Sequence, residues 1–200
     1  MDNAAHVAPP APGTVAIVFS GGLGLAAYHA GVFEAFAAQL LPLHWVSGSS
    51  ASAVTAALIA GNAEGDRIDQ LRAFWRCPPV DRREALPWRH LYGWTAAIET
   101  RIAGSAGFFR PRSPSLDPFC FRSFYDLAPM RERSSGLVGF GRLNGGAPRI
   151  CIAATDIESG QPVIFDSLRT KLEMDHLLAS CGFLPEFAPV EIGGRLLGDG

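Results

Sequence analysis

The chain has 200 residues, of which 48% are hydrophobic and 18% charged, with a formal net charge of −2. That length suits one domain with a sizeable core, and the composition excludes global disorder. Lys and Arg are scattered rather than gathered into a basic stripe, which argues against a nucleic-acid partner, and no apolar stretch is long enough to span a membrane as a helix.

Residues 1–13 read as a flexible Ala/Pro head without the basic start of a secretory leader, which points to a cytoplasmic protein. Residues 14–200 read as the folded domain. The run 14–19 is continuous, apolar and β-branched and ends in Ser20-Gly21-Gly22, which predicts a buried strand of a parallel sheet. Residues 26–40 predict a helix that is apolar on nearly all sides and therefore covered by protein over most of its surface. Residues 44–47 predict a short strand and 51–60 a second apolar helix, closed by Gly61-Asn62. Strand, helix, strand, helix with short joints is the mark of an α/β sheet.

The middle is less regular. Residues 66–76 predict a helix broken at Cys77-Pro78-Pro79, 88–102 another helix, and 104–118 a loop rich in Gly, Ser and Pro. Residues 149–155 and 161–166 predict two strands around a turn at Ser159-Gly160, 172–180 a helix, and 190–192 and 195–197 two short strands around Gly193-Gly194. The cysteines, Cys77, Cys120, Cys151 and Cys181, lie far apart with no C-x-x-C pair and no His cluster beside them. Buried reduced thiols are expected, with no metal and no cofactor.

Three segments carry chemistry. In Gly48-Ser49-Ser50-Ala51-Ser52 a strand turns sharply into a helix, with small residues on both sides of Ser50. That is the arrangement of a nucleophile elbow, in which Gly48 tolerates unusual dihedrals and Ser52 is small because helix and strand pass close together. The competing reading is an ordinary N-cap, with Ser47, Ser49 or Ser50 capping the following helix. Ahead of it, Ser20-Gly21-Gly22-Leu23-Gly24 lies between a strand and a helix, where backbone N–H groups converge on an anion such as the oxyanion of ester hydrolysis. The same residues, Gly22 to Ala27, match a G-x-G-x-x-A dinucleotide fingerprint. That motif expects an acidic residue about 20 positions on, where His44 to Ser47 stand instead. The third segment runs from Ala179-Ser180 through Pro185 and Pro189-Val190 to Asp199-Gly200, and presents either a carboxylate at the end of a strand or a plain Asp-Gly turn.

Taken in order, these segments resemble the patatin-like phospholipase family. The family pairs a Gly-rich loop and an A-Y-x-A-G-V helix, here Ser20 to Val32, with a G-x-S-x-G elbow, here Gly48 to Ser52. It closes on an A-S-x-x-x-P run ending in D-G-G or D-G-A, here Ala179 to Gly200. The resemblance covers nearly the whole chain and implies an α/β fold with a mainly parallel central sheet and helices on both faces. It implies a serine acyl hydrolase acting on lipid esters through a Ser50–Asp199 dyad. Gly21, Gly22, Leu23 and Gly24 would form the oxyanion hole, and Gly48, Ser49, Ala51 and Ser52 the elbow. The expected partner is a lipid or other acyl-ester substrate, with peripheral membrane contact. Leu25 replaces the usual loop Arg, Ser52 replaces the second elbow Gly, and the chain stops one residue short of D-G-G, as the front part of a longer protein would. Histidines 6, 29, 44, 90 and 176 are expected to have no catalytic role, with the helix carrying His29 away from Ser50. The aromatics Trp88, Tyr92, Trp94, Phe108, Phe109, Phe119, Phe121 and Phe124 would line an acyl pocket, rest on a membrane or pack into the core. The alternatives are a silent lipid-binding relative and a nucleotide-binding α/β domain.

Overall fold

A computed structural model of the chain describes residues 13–76, 98, 100–105, 107–112 and 121–200. In chain order the elements begin with β1 (Ala16–Phe19), a 3-10 turn (Leu23–Leu25), α1 (Ala26–Ala37), β2 (Trp45–Ser49), α2 (Ala51–Gly61) and α3 (Arg67–Trp75). A helical turn at 100–103 precedes β3 (Arg110–Pro111), β4 (Tyr125–Asp126), α4 (Ala128–Ser135) and α5 (Phe140–Leu143). The chain continues through β5 (Arg149–Asp156), β6 (Pro162–Asp166), α6 (Met174–Ser180), β7 (Val190–Ile192) and β8 (Arg195–Gly198).

The α/β architecture expected from the sequence is present. β1, β2 and β5 run parallel, with Ile17 opposite Val46 and Val46 opposite Ile150. A parallel pair needs a crossover, and α1 supplies it between β1 and β2. β6, β7 and β8 join antiparallel. Val46, Ile150 and Ile152 on the sheet pack with Leu58 and Ile59 of α2, all fully buried. Each such side chain contributes about 1.5–3 kcal/mol through burial.

The pairing of β5 determines where the site forms. β6 occupies one edge of β5, from Cys151 to Thr155. Along the other edge β2 arrives in parallel and ends with Ser49 opposite Ala153, while β8 arrives antiparallel and ends with Gly198 opposite Thr155. The residues that follow these two strand ends, Ser50 and Asp199, therefore meet head-on beside Ala154. At the other end of β5, Arg149 forms an ion pair with Asp166 and lays its guanidinium over the Trp45 ring at 4.4 Å. Burial alone would raise the Asp166 carboxyl, but the bonds from Arg149 and the Leu168 N–H prevail and hold it below the usual carboxylate range. This pair ties β2, β5 and β6 together in register.

Three expectations need correction. The strand at 14–19 is parallel, but among the described residues it pairs with β2 alone, and Ala16 and Val18 face outward, Val18 with 77% exposure. α1 ends at Ala37 rather than residue 40, and it buries Ala26 and Phe33 while leaving Tyr28 and Val32 exposed. Both follow from one cause: α1 and β1 lie at the sheet margin, and an apolar sequence records what a residue tolerates, not what lies beside it. The segment 104–118, expected as loop, contains a bridge between Ser105 and Phe109 and the strand β3 in its described part. Residues 1–12 of the expected head, most of the 88–102 helix and the break at Cys77-Pro78-Pro79 lie outside the described residues.

Candidate active site

Ser50 joins β2 to α2 with φ 56° and ψ −139°. A side chain held at positive φ costs about 1–3 kcal/mol, and such strain persists where the surroundings over-determine it. The reason for Gly48 differs from the one expected. Its own φ is ordinary, and a Cβ there would lie 2.3 Å from the Ser52 carbonyl oxygen, so its role is close approach of strand and helix while Ser50 carries the unusual dihedrals. Among the described residues no capping hydrogen bond is made by the Ser50 side chain, which removes the N-cap reading of its hydroxyl.

Asp199 stands beside that hydroxyl, close enough for Ser50 to act on the pKa of its carboxyl. Asp199 is part-buried, with its backbone N–H on the Gly182 carbonyl at 3.2 Å and its Oδ1 accepting the Gly200 N–H at 3.0 Å. Burial pushes the Asp199 carboxyl above its ordinary value, and the neighbouring Ser50 hydroxyl and the Gly200 N–H pull it partly back. Gly200 needs its missing side chain, since a Cβ would stand 2.3 Å from the Ala153 carbonyl oxygen.

Ser180 completes the support. Its Oγ accepts the Ser50 N–H at 2.8 Å and donates to the Ala153 carbonyl at 2.6 Å, and the residue is fully buried. It locks the strained turn to β5. The A-S-x-x-x-P run contained this residue, but a serine in a helix gives no sign of its partner in sequence; the spacing of the run relative to Asp199-Gly200 was the available signal.

The Gly-rich loop lies against the turn. A Cβ at Gly21 would come 3.1 Å from the Ser50 Cβ and 3.4 Å from the Ser49 Oγ. Gly22 has φ 144°, which a side chain rarely adopts, and Leu25 folds over it. Gly24 has open space beside its Cα and faces a cavity of about 230 Å³ that also reaches Ser50 and Ala51. The 3-10 turn Leu23–Leu25 closes on a hydrogen bond from the Leu25 N–H to the Gly22 carbonyl at 3.0 Å. The cavity walls are apolar, built from Trp75, Phe108, Phe109, Leu127, Met130 and Phe187. Among the described residues there is no His/Cys/Asp/Glu cluster able to hold a metal ion.

His29 lies nearer the turn than expected. Its Nδ1 is hydrogen-bonded to Ser52 Oγ at 2.8 Å, and its ring packs on Phe19 at 5.2 Å. Ser52 is fully buried, so the hydroxyl that replaces a hydrogen of glycine finds its partner in His29. Cys181, on the cavity wall, is a free buried thiol pushed up to about 12 by burial and then by the Asp199 charge. Cys151 is likewise free and buried. The aromatic set divides: Phe108 and Phe109 line the cavity, whereas Phe121 and Phe124 meet edge to face at 5.1 Å with 53% exposure each. Trp88, Tyr92, Trp94 and Phe119, with Cys77 and Cys120, lie outside the described residues. Trp75, a cavity wall, reads in sequence as one apolar position of α3.

Among solved structures the chain is similar to VipD from Legionella pneumophila, with a TM-score of 0.51 and 14% identity over 95% of this chain and 46% of that one. It also matches the ExoU–SpcU complex from the type III secretion system of Pseudomonas aeruginosa, with a TM-score of 0.38 and 21% identity over 86% of this chain and 36% of that one. The chain thus spans less than half the length of either. No curated protein matches. The sequence model of the patatin-like phospholipase family matches residues 17–200, a span that runs from β1 through the Gly-rich loop and the Ser50 turn to Asp199. The chain belongs to the patatin-like phospholipase family.

Proposed function

We propose that this chain is a serine acyl hydrolase that cleaves carboxylic esters of lipids, with Ser50 as nucleophile and Asp199 as its base. The observation that carries the reading is the meeting of Ser50 and the part-buried Asp199 where the ends of β2 and β8 face each other along β5, with Ser50 on a strained turn that opens on an apolar cavity. An ordinary aspartate is a weak base at neutral pH, with a reference pKa of about 3.9. Burial raises this one, which narrows the mismatch.

Asp199 accepts the Ser50 proton as the oxygen attacks the ester carbonyl. The tetrahedral oxyanion is stabilised by backbone N–H groups of Gly21, Gly22, Leu23 and Gly24, assisted by the positive end of α2. Collapse expels the alcohol, which takes the proton back from Asp199 and leaves an acyl-serine. Water attacks that ester, gives its proton to Asp199, and the acid departs with Ser50 reprotonated. Gly48, Ser49, Ala51 and Ser52 hold the turn, and the apolar cavity takes the acyl chain. This catalytic unit corresponds to residues 14–200. Peripheral contact with a lipid surface is supported by the exposed Phe121–Phe124 pair. Among the described residues no helix is long and apolar enough to cross a membrane.

A short-chain chromogenic ester and a fluorophosphonate probe test the reading together. The wild type should turn over the ester and be labelled, and Ser50→Ala should do neither while keeping its circular dichroism. Lipid binding without labelling would make the chain a silent relative. Labelling that persists in Ser50→Ala but vanishes in Ser49→Ala or Ser47→Ala would move the nucleophile.

A further inference from the structure

The cavity at Ser50 is small. Ligand pockets commonly measure about 300–1,000 Å³, whereas this one holds about 230 Å³. A second depression of about 370 Å³ lies between α1 and α3. Two residues, Ala27 and Trp75, line both, so the two spaces stand back to back across those side chains. On the far side the groove presents Ala30, Ile68 and Leu71, with Glu34 and Arg72 forming an ion pair between the two helices. An alkyl chain would find apolar surface along the groove and charge at its rim.

Trp75 is held in place from several sides. Its ring stacks on Phe108 at 5.5 Å with an interplanar angle of 21° and meets the edge of Phe74 at 4.9 Å. Its Nε1 donates to Thr55 Oγ1 at 3.2 Å, and Thr55, fully buried on α2, donates in turn to the Ala26 carbonyl at 3.5 Å. A polar anchor at one end and aromatic contacts on its faces restrict the indole to one orientation. Ala27, the other shared residue, is too small to close the gap alone. Of the two shared residues Trp75 carries the larger side chain, so it forms most of the wall between the cavity and the groove.

We propose that the groove between α1 and α3 is a distal acyl-chain subsite and that Trp75 is the partition that shuts it off, restricting the enzyme to short or medium acyl groups. This rests on the ester-hydrolase reading above. One methylene in an apolar pocket is worth about 10–200-fold in discrimination. Removing the partition should therefore change the ratio of kcat/KM for a long ester to that for a short one by at least about tenfold.

The experiment compares p-nitrophenyl butyrate, octanoate, laurate and palmitate in mixed micelles for wild type, Trp75→Ala, Trp75→Phe and Gly31→Leu, with fluorophosphonate labelling as the count of active sites. Trp75→Ala should raise the palmitate-to-butyrate ratio at least about tenfold, and Trp75→Phe, which keeps a ring, should move it far less. Gly31 lines the groove and has open space beside its Cα. Gly31→Leu should thus leave the wild-type profile unchanged, yet in the Trp75→Ala background return the ratio towards the wild-type value by filling the groove. Trp75→Leu, which keeps apolar contact with Phe74 and Phe108, takes the place of the alanine variant should that one not fold. A labelled, folded Trp75→Ala or Trp75→Leu enzyme with an unchanged ratio overturns the partition. A raised ratio that Gly31→Leu does not reverse overturns the groove as the place where the chain goes. A wild type that neither hydrolyses nor labels overturns the hydrolase reading instead, and the subsite with it.

Discussion

α1 and α2 both start at the site and both are apolar in sequence, but their surroundings are opposite. All eleven residues of α2 are buried, from Ala51 to Gly61, whereas α1 buries Ala26 and Phe33. α2 follows Ser50, so the nucleophile candidate is mounted on the centre of the core. α1 follows the Gly-rich loop, so the oxyanion candidates are mounted on the margin of the sheet. A helix with little buried surface opens at low free-energy cost. The loop is therefore held less by α1 than by tethers to α2: the packing of Gly21 against Ser50, the Thr55 bond to the Ala26 carbonyl, and the His29 bond to Ser52.

The largest effect belongs to the α2 side and concerns chemistry, not stability. Asp199→Asn keeps the shape of the side chain but cannot take a proton, and losing one member of a catalytic unit lowers kcat by about 10⁴–10⁶. Turnover of the wild type should fall as pH drops through the Asp199 pKa, which lies above the usual aspartate value, so the acid limb of the kcat/KM profile should sit above that of a free aspartate. The stability sign runs the other way. A carboxyl whose folded pKa is raised binds its proton more tightly in the fold, so its ionisation weakens the fold as pH rises through that value. Asp199→Asn should thus unfold at the same temperature as wild type or higher at neutral pH. An Asn variant that is both inactive and clearly destabilised would mean that the carboxylate holds the fold.

The next effect separates the helices by stability. Leu58→Ala, in the enclosed helix, should cost about 2–5 kcal/mol. Tyr28→Ala, at 71% exposure on α1, should stay within about 0.5 kcal/mol. Equal costs in urea unfolding would erase the distinction between the helices. On the loop itself the two glycines should part. Gly24→Val has room and should cost about 10²–10³ in kcat with little loss of stability, because the side chain enters the cavity beside the proposed oxyanion donors. Gly22→Val should cost stability as well, because φ 144° and Leu25 both oppose it. If Gly24→Val retains full turnover, the loop is not the oxyanion site.

Much of this arrangement was legible because it depends on local patterns. The strand at 44–47, the helix at 51–60, the hairpin at 149–166 and the strands at 190–197 all have short, regular signals, and they are the elements whose ends bring Ser50 and Asp199 together. What stayed hidden depends on partners. α4 gives no periodic signal because its sequence, APMRERSS, is polar and buries just Met130 and Ser134. β3 and β4 are two residues each and take their identity from each other. The margin position of β1 was invisible, since the same β-branched residues serve a central or an edge strand. Ser180 and Trp75 had the same difficulty: a helix residue's face is readable, but not the atom it will touch.

The smallest effect tests a single tether. Ser52 stands where the family pattern has glycine, and its buried hydroxyl has His29 Nδ1 as partner at 2.8 Å. His29→Ala leaves that hydroxyl enclosed without its bond, at a cost of about 1–3 kcal/mol, because a buried polar group left unpaired forfeits its hydration. Ser52→Ala removes the hydroxyl instead, and His29, which is part-exposed, can turn its nitrogen to water, so the cost should be smaller. The double variant should then be no less stable than His29→Ala, since the unpaired group is gone. The coupling from the four unfolding curves should exceed the roughly 0.3–0.5 kcal/mol within which independent sites add. Because the bond spans α1 and the turn, its loss should also lower kcat by a few fold at unchanged KM, and the Ser52→Ala enzyme should share that loss. Additive stabilities would show that the bond holds nothing, and the loop would then owe its position to Thr55 and to the packing of Gly21 alone.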